Sequence, residues 1–359
     1  MPPTTRSSPF SAEPQLTLEH VSKFFGPRPE AALERFQHTD KIGAGDGLGI
    51  YDVSLEIPKG RTFVLMGLSG SGKSTLLRLL NRLYRPTAGR VLVGGTDIGR
   101  LKRRELIRFR RRTLSGMVFQ SFALLPYRTV LGNVAFGLEL QGVEKKERLE
   151  RAQAALELVG LGGREHVLPA ELSGGMQQRL GLARALVLGG DVLLMDEPFS
   201  ALDPITKREL QDELLRLQTS VHKTIVLVTH DMTEALKLGD RIALLKAGQV
   251  QQVGAPEEIV ARPANAYVAS FVAGVDKTAF LTASSVMTPS PQAERAPDHT
   301  PDLCVEPGTP LAEIVRLAAS DTRTLSVVGE RGQLLGTITP QGVLAALAER
   351  APVALEPSV

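Results

Sequence analysis

Short apolar runs alternate with longer stretches of helical spacing along most of this chain. "LTLEHVSKFFG" (16–26) alternates apolar and polar positions as an edge strand does, and "YDVSLEIPKG" (51–60) does the same before a Pro-Lys-Gly turn. "RTFVLMG" is apolar almost throughout, as a strand covered on both faces must be. "KSTLLRLLNRLY" takes helical spacing and has to stop before Pro86. "DVLLMDE" and "TIVLVTH" repeat the buried-strand pattern, with helices "RELQDELLRLQTSV" between them and "MTEALKLG" after them. This alternation predicts an α/β fold on a parallel sheet. A mostly helical segment, about 121–176, interrupts it. After Ala273 a Pro-rich loop, "TPSPQAERAPDHTP", leads to two helices, "TPLAEIVRLAAS" and "PQGVLAALAER", around a hairpin, "TLSVVGERGQLLGTIT". That pattern predicts a second, small α+β domain over 276–359.

Composition narrows the class without naming it. A chain of 359 residues has room for about two domains. Residues 1–15 are polar and Pro/Ser-rich, lack the apolar core of a secretory signal, and read as a disordered tail. No run of about 18 apolar residues is present to cross a membrane. One cysteine, Cys304, has no partner for an internal disulfide, reads as a buried or idle thiol, and points to the cytosol. A net charge of +3 is too mild to argue for nucleic acid. The most basic stretch, "LKRRELIRFRRRT" (101–113), has only Phe109 for base stacking. It reads as an exposed helix suited to anionic lipid rather than as a nucleic-acid site. "GVEKKERLERAQAALELVG" has apolar residues on one helical face and charges opposite, a surface helix.

Candidate chemistry changes the picture more. "GLSGSGKST" follows a buried strand and opens a helix, the context a phosphate-binding loop requires. Gly67, Ser69, Gly70, Ser71, Gly72 and Thr75 let the backbone N–H groups wrap phosphates. Lys73 places its charge on the β- and γ-phosphates, and Ser74 offers a hydroxyl to Mg2+. Asp196 ends a buried strand, where it can hold Mg2+ through water, and Glu197 beside it can act as general base on the attacking water. His230 ends another strand. A second glycine pair, Gly174-Gly175 after Ser173, opens a helix at "LSGGMQQR".

A phosphate loop, then "LSGGMQQR", then "LLMDEPFSALD", then "VTHD" resembles the ATP-binding subunit of ABC transporters over residues 16–275. The spacings agree: 47 residues from Lys73 to Gln120, 23 from Ser173 to Asp196 and 33 from Glu197 to His230. The resemblance implies a P-loop ATPase core of parallel sheet plus an antiparallel β subdomain, with an inserted helical subdomain at about 121–176. It implies a head-to-tail homodimer in which Ser173, Gly174 and Gly175 meet the partner's ATP and Asp203 contacts the dimer. Gln120 becomes the glutamine that senses Mg2+ and couples to the membrane partner, and His230 the switch histidine at the γ-phosphate. Phe25 becomes the adenine-stacking aromatic, with Phe24 as the alternative. "LPYRTV" (125–130) lies where the membrane subunit docks.

"MGLSGSGKST", "LLNRL", "MVFQSFALLP" and "LQDELLRLQ" are similar, more closely, to the ATPases of glycine betaine/proline importers. An insertion at 27–50 agrees with that branch. The partners implied are two membrane permease subunits and a substrate-binding protein, at the cytoplasmic face of the membrane. The C-terminal domain resembles one CBS repeat, with "SSVMTPSP" (284–291) as its leading segment. CBS repeats pack in pairs, so pairing between two chains is expected. Gly342 stands where adenosine-binding repeats carry an acid, which counts against such a ligand. The other readings are an ABC importer ATPase for another cargo, an amino acid or organic cation, or an ABC ATPase working on nucleic acid or ribosomes.

Overall fold

The computed structural model describes residues 14–119, 121–290, 304–320, 323–329 and 332–348. The chain divides into two compact units. Unit 1 is Met1–Glu234, Leu238–Asp240 and Leu245–Val250; unit 2 is Ala235–Lys237, Arg241–Leu244 and Gln251–Val359. Unit 1 begins with β1 (Pro14–Phe25), α1 (Pro29–Thr39), β2 (Gly47–Pro58), β3 (Thr62–Met66), α2 (Lys73–Leu80), β4 (Ala88–Val93) and β5 (Thr96–Asp97). It continues with α3 (Arg103–Thr113), β6 (Leu114–Val118), α4 (Val130–Leu140), α5 (Lys145–Leu158), α6 (Gly174–Leu186), β7 (Val192–Asp196), α7 (Pro204–Val221) and β8 (Thr224–Thr229). Helix α8 (Met232–Leu238) and strands β9 (Arg241–Lys246) and β10 (Gln249–Gly254) are shared between the units.

Strands β3, β8, β7 and β6 run parallel in that order. Every residue of β3 and β8 is buried, which is why both read as continuous apolar runs rather than alternating ones. Their carboxyl ends, with that of β7, bring Gly67, Asp196 and His230 to one edge of the sheet, where open α/β sheets bind ligands.

A second sheet has the order β2-β1-β4-β5. Strand β1 is antiparallel to both neighbours, so the edge position expected for 16–26 is corrected: it is a central strand. Its alternation reflects one covered face, not a free edge. Residues Pro14 and Gln15, expected in a disordered tail, open this strand. The Gln15 carbonyl accepts from Gly94 N at 2.8 Å. Residues 1–13 lie outside those described. The 27–50 insertion builds α1, which buries Ala32 and Leu33 against Phe24, with Phe36 and Tyr51 stacked alongside.

Helices α4, α5 and α6 pack on one another. Side chains satisfy backbone N–H groups at all three starts: Thr129 for α4, Glu144 for α5 and Ser173 for α6. The charged helix α5 buries Ala152, Ala155 and Leu156 on its inner face. Basic helix α3 buries only Leu106.

Unit 2 contains α9 (Pro256–Ala261), α10 (Ala266–Val272), α11 (Ala283–Val286), β11 (Thr288–Pro289), β12 (Cys304–Val305), α12 (Leu311–Ser320), β13 (Leu325–Val328), β14 (Leu334–Ile338) and α13 (Pro340–Ala348). The boundary expected at 275/276 falls inside it. Helix α9 packs on α10 before that boundary and on α11 after it, so contacts continue across 275/276. The small sheet has the order β11-β14-β13-β12, with the expected hairpin as β13 and β14. The "MTP" segment joins that hairpin as β11, antiparallel to β14. Cys304 is exposed on edge strand β12, which corrects the buried-thiol reading. Among the described residues no helix is long and apolar enough to cross a membrane.

Candidate nucleotide site

The loop between β3 and α2 is held in shape before any ligand is considered. Gly67 takes φ +149°, and a Cβ there would stand 2.2 Å from the Leu245 carbonyl oxygen, so no other residue fits. Gly248 N donates to the Ser71 carbonyl at 3.0 Å, and the Gly248 carbonyl accepts from Tyr51 N at 2.8 Å. Gly72 caps α2, whose first N–H groups, those of Lys73, Ser74 and Thr75 among them, have no intrahelical partners. Ser69 and Gly70 form the exposed crest.

The side chains of this loop converge on the sheet edge. Lys73 Nζ donates to the carbonyls of Gly67 (2.8 Å) and Leu68 (2.9 Å). Burial pushes its ammonium below the usual lysine range, while Glu197 and Asp196 pull in the other direction. Ser74 Oγ donates to Asp196 Oδ1 at 2.9 Å. The Ser71 hydroxyl is buried and has no hydrogen-bond partner among the described residues.

Glu197 follows Asp196 in an unusual backbone state, φ +47°. Three contacts impose it: Glu197 N donates to Val228 O at 3.0 Å, and its carbonyl accepts from Ser200 N at 3.3 Å and Ser200 Oγ at 3.0 Å. The carboxylate is thereby turned to His230, whose Nδ1 lies 3.1 Å from Glu197 Oε2. The structure thus brings together Lys73, Ser74, Asp196, Glu197 and His230. Gln120 lies outside the described residues.

The aromatic pair separates cleanly. Phe24 is fully buried in the α1 cluster, whereas Phe25 is half-buried, edge-on to Tyr84 at 5.3 Å, with Lys23 Nζ 5.1 Å from its ring centre. Phe25 is therefore the ring that can meet a ligand.

The second glycine pair is built differently. Ser173 Oγ accepts from Met176 N at 3.3 Å and caps α6. Gly174 has ordinary space around it, with Leu202 Cδ2 3.8 Å from where a Cβ would be. Gly175 does not: a Cβ would stand 2.3 Å from Thr206 Cγ2 of α7. Gly175 is thus required by packing within the chain. Asp203 caps α7, accepting from Ile205 N and Thr206 N at 3.1 Å each, and hydrogen bonds from Thr206 hold its carboxyl below the usual range.

Sequence reasoning passed over two features. Buried Asn133 clamps the 125–129 loop: its Oδ1 accepts from Leu125 N at 2.8 Å and its Nδ2 donates to the carbonyls of Leu125, Arg128 and Thr129. That clamp leaves Tyr127 95% exposed at the loop's tip. An Asn at a helix start after "LPYRT" is a readable signal, though its burial is not. The second feature is Lys207, which pairs with Asp231 and Glu234 on either side of the α8 start. No local spacing links residue 207 to 231.

Comparison with known proteins gives the chain its family. The ABC transporter family profile matches residues 50–200. The trimethylamine N-oxide transport system ATP-binding protein of Ruegeria pomeroyi is 46% identical, covering 93% of this chain and 97% of its own length. The glycine betaine/proline betaine transport system ATP-binding protein of Salmonella typhimurium is 45% identical, covering 93% of this chain and 83% of its own. Among solved structures, a dimeric ATP-binding cassette in a post-hydrolysis state, bound to ADP and phosphate, matches with TM-score 0.58 and 34% identity. That match covers 67% of this chain and 98% of the cassette.

Proposed function

The chain belongs to the ATP-binding subunits of ABC transporters, and from that premise we propose that it hydrolyses ATP to energise import of small N-methylated osmoprotectants of the glycine betaine type. The cargo class rests on the two relatives, which carry names for glycine betaine/proline betaine and trimethylamine N-oxide transport and align with 93% of this chain.

The residues present fit the nucleotide. A buried Ser71 hydroxyl without a partner is a cost that a phosphate oxygen offsets. The α2 N-terminus and Lys73 supply donors and charge for the β- and γ-phosphates. Ser74 and Asp196, already 2.9 Å apart, are oxygen ligands of the kind Mg2+ takes alongside phosphates, and Gln120 is assigned as a third. Bound Mg2+ neutralises charge on the phosphates. Glu197 would take the proton of the attacking water, and His230, held 3.1 Å from its carboxylate, is assigned to the γ-phosphate. Phe25 and Thr75 complete the base and phosphate contacts.

Ser173, Gly174, Gly175 and Asp203 serve the partner's nucleotide in a head-to-tail homodimer. Closure of that dimer is a population shift driven by contacts ATP makes only in the closed state. Closure moves two membrane permease subunits, which take cargo from a substrate-binding protein; the ATPase lies against them at the cytoplasmic face. The loop clamped by Asn133, with Tyr127 at its tip, is the docking point for the permease. The C-terminal sheet and its two helices form a CBS-like regulatory unit over 276–359, pairing between chains, and 121–176 is the helical subdomain.

One observation carries the ATPase assignment: Lys73, Ser74, Asp196, Glu197 and His230 at one sheet edge. Uptake of labelled glycine betaine after an osmotic upshift tests the whole. Cells carrying Lys73→Ala should lose it, by roughly 100-fold or more if every phosphate contact of the lysine is lost. Labelled amino acids should enter unchanged. Undiminished betaine uptake would overturn the cargo.

A further inference from the structure

The head of α7 touches three functional elements within one turn. Asp203 caps it, Thr206 packs on Gly175 of α6, and Lys207 reaches the loop that carries His230. Lys207 Nζ lies 2.6 Å from Asp231 Oδ2 and 2.6 Å from Glu234 Oε1. Those two carboxylates hold the loop from within. Asp231 Oδ1 accepts from Thr233 N at 2.8 Å and Glu234 N at 3.3 Å. Asp231 N donates to Thr229 Oγ1 at 3.0 Å, and the Thr229 hydroxyl donates to Glu234 Oε2. His230 therefore sits between two residues whose positions are fixed by the same ionic network. Its own ring is 58% exposed, with the 3.1 Å approach to Glu197 as its side-chain contact.

Glu234 has only 4% of its side chain exposed, and the lysine is paired with it at 2.6 Å. Burial alone would lower the Lys207 ammonium; hydrogen bonds to Asp231 and Glu234 more than offset this and leave it raised. Burial works against the Asp231 carboxylate in turn, and Lys207 holds it below its ordinary range. Without the lysine, two acids would face each other across the loop with one of them buried.

We infer that Lys207 is a positioning residue for hydrolysis: it fixes His230 against Glu197 and ties that pair to the α6–α7 packing behind Ser173 and Gly175. This rests on the ATPase reading above. The partner's nucleotide would press on Ser173 and Gly175; the rigid first turn of α7 then carries that contact to His230 in the chain's own site.

ATPase assays on the purified full-length chain test this, with Lys73→Ala as reference. Lys207→Met should lower kcat between about 10-fold and 100-fold, the range a misplaced catalytic group produces, with KM for ATP within about 2-fold. Lys207→Arg should restore most of the rate. The effect should also vanish in a His230→Ala background, because residues that act as one unit are not additive. Glu234→Gln, which keeps an acceptor for Thr229, should give a smaller loss with the same dependence on His230, and it decides the matter if Lys207→Met does not fold. A full rate in Lys207→Met, or an equal loss with and without His230, overturns the inference. If Lys73→Ala itself retains hydrolysis, the ATPase reading fails instead, so the two failures are distinct.

Discussion

The two glycine-rich helix starts of unit 1 look alike in sequence and differ in completeness. Ahead of α2, the backbone is locked by Leu245 and Gly248, the lysine is pinned to loop carbonyls, and Asp196, Glu197 and His230 stand within the same edge. Ahead of α6, Ser173 is an ordinary cap, Gly174 is exposed with room for a Cβ, and Gly175 is spoken for by Thr206. The first start carries its own cation, carboxylates and base. Around the second, the structure places neighbours of α7 that serve packing and capping. A helix N-terminus alone attracts an anion by a modest amount. Under the proposed function the second start is one half of a site completed by another chain's nucleotide.

The comparison breaks most decisively at Ser173. Ser173→Arg adds bulk and charge to the face that the proposed function assigns to the partner's nucleotide, so hydrolysis should fall by roughly 100-fold or more, with ATP affinity within about 3-fold. Combined with Glu197→Gln, which should trap a closed ATP-bound dimer, the arginine should return the chain to monomer on size exclusion with Mg-ATP. A large loss of ATP affinity in Ser173→Arg would place this serine in its own chain's site and erase the distinction.

A smaller effect separates the two glycines. Gly175→Ala forces Thr206 away and should destabilise the fold by about 1–3 kcal/mol, as overpacking does. Gly174→Ala meets its nearest neighbour at 3.8 Å and adds helix propensity, so stability should hold or rise by up to about 1 kcal/mol. Hydrolysis should nonetheless fall in Gly174→Ala, because the added methyl stands on the open face. Melting temperature and kcat measured together decide this. A Gly174→Ala chain with full activity would show that the open face holds nothing.

Much of this contrast was legible in the chain itself, for physical reasons that differ by element. Strands β3, β7 and β8 were readable because burial on both faces leaves unbroken apolar runs. The phosphate loop was readable because its glycines, lysine and serine must be contiguous. Strand β1 misled, since a half-covered central strand alternates just as an edge does. Position before Gly26 favours Phe25 over Phe24, and the α1 insertion, which encloses Phe24, adds the burial that the sequence does not show. The demand that Thr206 places on Gly175 comes from helix packing 31 residues away, which no local spacing shows. Asn133 and Lys207 were missed for the same reason: their partners are set by tertiary approach, not by spacing. The compact-unit boundary was obscured because composition changes after Ala273 while α9 still contacts α11 across that point.

The smallest effect concerns Lys73, and its sign distinguishes a ligand site from a structural one. Burial lowers the Lys73 pKa below the unfolded value, so the folded chain binds that proton less tightly than the unfolded chain does. Stability is therefore reduced while the amine is protonated in both states. The penalty fades as pH rises through the folded-state pKa and is gone above the ordinary lysine value near 10.5. Lys73→Met, similar in length and without charge, should thus be as stable as the parent chain or more so at neutral pH, with no nucleotide added. The difference should narrow as the buffer approaches pH 10. Saturating ATP should reverse the order, since only the lysine chain gains the phosphate contact and binding adds stability to whichever chain binds. Thermal melts of both chains across pH, with and without ATP, read all three comparisons. If Lys73→Met melts lower without nucleotide at every pH, the lysine is chiefly a clamp on the Gly67 and Leu68 carbonyls, and the claim that the first glycine loop is held ready for phosphate loses its energetic support.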